Sequence, residues 1–143
     1  MRRWAVTVGC AVLLLAGSCA TSSRGAPEPG PGGGSVVVRP SVEPEPGATI
    51  VLFLSAEDAD VGSACTTLDE WVDGGWRSRW YWERSSPEPG AIPEGGEQTC
   101  PAFGVPLPTE QTVALPADIG TGTWRLAYLA GEDAIGAYVF EVG

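Results

Sequence analysis

Between Thr66 and Glu83 the chain gathers Trp71, Trp76, Trp80, Tyr81 and Trp82 with Arg77, Arg79 and Asp69. Aromatic rings beside charged groups have two uses. A ring can stack under a guanidinium at the rim of a core. It can also offer a flat apolar face, with polar neighbours, to a ligand such as a pyranose. Other chemistry is poorly represented. The chain contains no His, so acid–base work at neutral pH would need retuned carboxylates, tyrosines or thiols. Glu57, Asp58 and Asp60 cluster, but their spacing lacks the alternating acidic pattern of a calcium loop and reads as a solvated turn. Cys65 and Cys100 have neither Cys-x-x-Cys spacing nor a His to complete a zinc site. Paired carboxylates for glycoside hydrolysis cannot be recognised from sequence distance. Nucleophile-elbow, Ser-x-x-Lys and phosphate-cradling motifs are missing. The expectation is no catalytic residue, no metal, no cofactor, and a binding or structural role rather than an enzyme.

The charge narrows the partners. Eight Arg and no Lys face 18 acidic residues in the whole chain. Such an acidic surface repels nucleic acid and anionic headgroups, so neither is expected as a direct ligand.

The elements that must position the aromatic residues read as strands. Val36–Val38, Thr49–Leu54, Thr66–Val72, Trp76–Glu83, Gln111–Leu115, Thr123–Ala130 and Ile135–Val142 are seven β-rich runs separated by Gly, Pro and Asp. Thr49–Leu54 is apolar on both parities, as a strand inside a sandwich would be. No stretch of helical period interrupts them, so the fold class is all-β, a sandwich. The hairpin around Asp73-Gly74-Gly75 then decides which tryptophans face inward. A three-residue loop pairs Val72 with Trp76, Leu68 with Trp80 and Thr66 with Trp82, and sets Asp69 opposite Arg79. A two-residue loop places Trp76, Trp80 and Trp82 beside Asp69, and Leu68 beside Arg79. The first register separates apolar from charged side chains and is preferred. It predicts Trp76, Trp80 and Trp82 in the core, with Trp71 and Tyr81 exposed. Those two then form either a rim stacked on arginines or a ligand surface.

The N-terminus carries a different signal. Arg2 and Arg3 precede a 13-residue apolar run, Trp4–Ala16, too short to cross a bilayer and of the length of a signal-peptide core. Leu15-Ala16-Gly17-Ser18-Cys19 resembles the lipobox of bacterial lipoproteins, with Leu one place earlier than the family prefers. The resemblance implies that residues 1–18 are removed, Cys10 with them, and that Cys19 carries the lipid. The protein would then be held on the extracytoplasmic face of the cell membrane, and two or three acyl chains make such an anchor durable. The mature chain would carry six Arg against 18 acids, a net charge of −12. Residues 20–34 hold eight Pro or Gly in 15 positions, so 19–34 reads as lipidated Cys plus flexible linker and 35–143 as the domain.

The ordered set Val36–Val38, Pro46-Gly47-Ala48-Thr49, Cys65-Thr66-Thr67-Leu68, Asp73-Gly74-Gly75-Trp76, Cys100-Pro101 and Gly122-Thr123-Trp124-Arg125-Leu126 resembles the bacterial Ig-like modules of actinobacterial lipoproteins. It spans most of residues 36–142 and implies an Ig-like β-sandwich of about seven strands, with no activity attached. In an oxidising compartment the two thiols left after processing, Cys65 and Cys100, are expected to form a disulfide. It would close a loop of 36 residues that contains the loosest stretch, Ser85–Glu97. The expected role is a membrane-tethered module that binds or supports a cell-surface protein or glycan. The alternative is a small all-β inhibitor of an extracellular protease, acting through Ser85–Glu97.

Overall fold

A computed structural model of the 143-residue chain describes residues 25–57, 65–84, 86–96 and 107–143. Cys10, Cys19, Cys100, Asp58 and Asp60 lie outside these residues, so the lipidation site and one half of the expected disulfide do too. Among the described residues nine strands follow in order: β1 (Gly30–Pro31), β2 (Val36–Pro40), β3 (Thr49–Ala56), β4 (Thr66–Val72), β5 (Gly75–Trp82), β6 (Gly90–Ala91), β7 (Glu110–Ala114), β8 (Gly122–Ala130) and β9 (Asp133–Val142). The seven longer strands are those read from the sequence. All pairings are antiparallel, in one sheet of order β1-β9-β8-β4-β5-β6 and another of order β2-β3-β7. The fold is an Ig-like β-sandwich. β2-β3-β7 take the places of strands A, B and E, and β9-β8-β4-β5 those of G, F, C and C′.

Alternation builds the core. Val36, Val38, Ile50, Leu52, Leu54 and Val113 point inward from the smaller sheet. Leu68, Trp82, Trp124, Leu126, Tyr128 and Phe140 meet them from the larger one. Burying these side chains supplies the main stabilisation, at about 1.5–3 kcal/mol for each large apolar group. Thr66 Oγ1 donates to Gln111 Oε1 at 2.6 Å, a buried polar link between the two sheets. β3 departs from expectation, because its Val51 is half-buried and its Phe53 is 46% exposed. Only one face of this strand meets the opposite sheet. Phe53 instead lies on the outer face between its strand partners Arg39 and Glu110.

Backbone pairing also reaches into the residues read as linker. β1 falls inside the expected linker, where Gly30 and Pro31 pair with Val139 and Tyr138, and Gly32 N donates to Ala137 O at 2.8 Å. Paired backbone therefore begins before Ser35. The chain leaves β9 after Gly32 and enters the other sheet at Val36, passing close over its surface. A Cβ at Gly136 would sit 2.2 Å from the Val36 carbonyl oxygen, so only glycine permits that approach.

The β4–β5 hairpin combines both registers considered from the sequence. At the turn Val72 pairs with Gly75, so the loop is the two-residue Asp73-Gly74, with φ of 52° and 79°. Positive φ at both positions matches the twist of adjoining strands. Trp71 pairs with Trp76 and Asp69 with Ser78. A bulge at Arg79 then shifts the register, and Leu68 pairs with Trp80 and Thr66 with Trp82, as the three-residue loop would have had it. The turn chemistry governs the tip and the core governs the base.

Candidate functional site

The bulge sorts the aromatic residues. Trp82 is fully buried, and its Nε1 donates to Pro87 O at 3.0 Å. Trp80 is half-buried against the core, its ring 6.1 Å from that of Trp124. Trp76, expected in the core, turns to the outer face of the larger sheet. There it meets Trp71 edge-on at 5.1 Å. Trp71 and Tyr81, expected exposed, are both half-buried. Tyr81 lies over Gly90, where an added Cβ would come within 2.6 Å of its ring, so the short β6 covers it. Both lie on the outer face of the larger sheet, but four residues apart along β4, Trp71 opposite Trp76 and Tyr81 opposite Thr67.

What gathers on the outer face is a constellation that the sequence reading did not assemble. Asp69 on β4, Ser78 on β5 and Arg125 on β8 are cross-strand neighbours. The Asp69 side chain is 1% exposed, yet both oxygens are engaged. Ser78 Oγ donates to Oδ1 at 2.7 Å, and Arg125 Nε donates to Oδ2 at 2.7 Å. Those charge-assisted bonds replace the lost hydration of the carboxylate. The Arg125 guanidinium also lies 4.7 Å from the centre of the Trp76 ring, a cation–π stack. Arg79, expected opposite Asp69, is instead the bulged residue. Its Nε and Nη2 both reach Glu70 Oε1 at 2.9 Å.

Above this floor opens a groove of about 510 Å³. Asp69, Trp76, Ser78 and Arg125 form its base, with Arg77 and Arg79 alongside. The Pro93–Gly96 turn and Glu132 form its rim. That turn is fixed by Gly96 N donating to Pro93 O at 2.8 Å and by Ile92 N donating to Arg79 O at 2.9 Å. So part of the segment expected to be loosest is strapped along the sheet edge and shapes the groove. Three of the chain's eight arginines line it, each with a carboxylate partner. Among the described residues no group of three or more His, Cys, Asp or Glu could hold a metal ion. Glu57 is exposed at the end of β3.

Signals for this site existed in the sequence. Asp69 and Arg125 are charged residues set on the non-core parity of their strands. What the sequence lacked was the pairing of β4 with β8, which brings together residues 56 positions apart. Searches of family models, of curated proteins and of solved structures found no match to this chain.

Proposed function

We propose that this protein is a lipid-anchored, extracytoplasmic binding module that presents the Trp76–Arg125 groove to a ligand at the cell surface. The observation that carries the binding reading is the buried Asp69–Arg125 pair beneath an open groove. A charge pair taken out of water adds little to stability compared with apolar packing, and a stacked, pre-positioned guanidinium suits recognition. The anchoring rests on the positive start, the short apolar run and Cys19. A disulfide at Cys65 is part of this reading, because the extracytoplasmic face is an oxidising compartment. Pairing with Cys100 belongs to the same proposal, as does the resemblance to actinobacterial lipoprotein modules. No reaction is assigned.

A protease inhibitor is the second reading. In its favour, the segment after Trp82 is held rigid, with Pro87 O accepting from both Trp82 Nε1 and Ala114 N.

The test expresses the full chain in a Gram-positive host. Wild type should enter the detergent phase, and Cys19→Ser should be released to the aqueous phase. Anchored wild type should also retain a cell-envelope component that Trp76→Ala loses. Equal partitioning of both proteins would remove the anchor. Inhibition of an extracellular protease, abolished by cleavage between Pro87 and Glu94, would favour the second reading.

A further inference from the structure

We infer that the groove over Asp69, Trp76, Ser78 and Arg125 takes an uncharged saccharide, an inference that rests on the groove being the binding site proposed above. The argument begins with charge. Arg125 is paired to Asp69 at 2.7 Å, Arg79 to Glu70 at 2.9 Å, and Arg77 to Asp73 at 3.9 Å. Each of the three arginines that line the groove therefore already holds a carboxylate, Asp69, Glu70 or Asp73, and the rim acids Glu94 and Glu132 are in excess of these pairs. An anionic ligand would have to break an existing pair and approach a chain of net charge −10. A cation would find only Glu94 and Glu132 to hold it, with the other carboxylates already committed to arginines. A neutral ligand pays neither cost.

The remaining chemistry suits a polyol. The groove offers guanidinium donors, carboxylate acceptors at Glu94 and Glu132, and the Ser78 hydroxyl. Carboxylates and guanidinium groups are two-pronged partners for neighbouring hydroxyls. Trp76 is half-buried, with Arg125 over its ring and Trp71 against it edge-on, and the part of the ring that lines the groove is an apolar strip for a C–H patch of a sugar. Gly95 on the rim, where an added Cβ would meet nothing within 4 Å, leaves room for a bulky ring close to the backbone. A volume of about 510 Å³ lies within the range of small-ligand sites. It suits a short oligosaccharide better than a lone ion.

The experiment uses the full chain in detergent micelles and follows tryptophan fluorescence. Probes are neutral β-gluco- and manno-oligosaccharides, with oligogalacturonates as the anionic counterpart, at low and high NaCl. We expect saturable binding of a neutral oligosaccharide whose affinity is nearly independent of salt. Trp76→Ala should abolish it. Glu94→Ala with Glu132→Ala, both exposed rim positions, should weaken it about tenfold while leaving the fold intact. Binding of the oligogalacturonates alone, with steep loss in salt, would overturn the inference. So would neutral binding unchanged in the rim variant. If no saccharide binds but Trp76→Ala still loses an envelope protein, the saccharide inference falls and the binding module stands. If neither is seen, both fall.

Discussion

Arg125 Nε and Asp69 Oδ2 lie 2.7 Å apart across β8 and β4, joining a buried carboxylate to a guanidinium that is 20% exposed. Removing one partner of such a pair is far worse than removing both, because the survivor keeps its desolvation penalty. Arg125→Ala should therefore destabilise the domain by about 3 kcal/mol, the lower end of the range for buried pairs. Arg125→Ala with Asp69→Ala should cost less than the sum of the two single changes. Urea denaturation of the four proteins measures both. A midpoint for Arg125→Ala within error of wild type would mean that Ser78 alone satisfies the carboxylate.

The bulge at Arg79 predicts unequal tryptophans. Trp82 is fully buried and hydrogen-bonded, so Trp82→Ala should cost about 3–5 kcal/mol and leave little folded protein. Trp71 is half-buried against Trp76 on the outer face, so Trp71→Ala should cost about 1–2 kcal/mol. Equal losses would contradict the two-part register.

Gly136 marks the crossing of β2 over β9. Gly136→Ala would drive a Cβ to 2.2 Å from Val36 O, against backbone that cannot rotate away. A loss of about 1–3 kcal/mol is expected. Gly33→Ala, where a Cβ meets nothing within 4 Å, is the control and should be close to neutral. Thermal melts should show a lower midpoint for Gly136→Ala and an unchanged one for Gly33→Ala.

The proposed Cys65–Cys100 bridge has a direct readout. Non-reducing peptide mapping of exported protein should find the two peptides linked, and free Cys100 under denaturation would reject the pairing. Replacing both by Ser should cost about 4 kcal/mol in the chain-entropy account.

Sequence alone determined the class of fold and most of its elements. The seven long strands were legible because apolar and β-branched runs end at Gly, Pro and Asp, and those signals are local. The short strands β1 and β6 were not legible. Gly30-Pro31 and Gly90-Ala91 have no strand character and pair because β9 and β5 present free edges to them. The hairpin was half legible. Asp73-Gly74 names its own turn, and Leu68, Trp80 and Trp82 name their own face. Reconciling the two requires one extra residue, and neither local pattern says where it goes. The site was the least legible part. Parity alone could place Asp69 and Arg125 on outward faces, but their meeting depends on β4 lying beside β8 in the sheet. Strand order is set by burying both sheets' apolar faces at once, a property of the whole chain, and that packing turned Trp76 from an expected core residue into the wall of the groove.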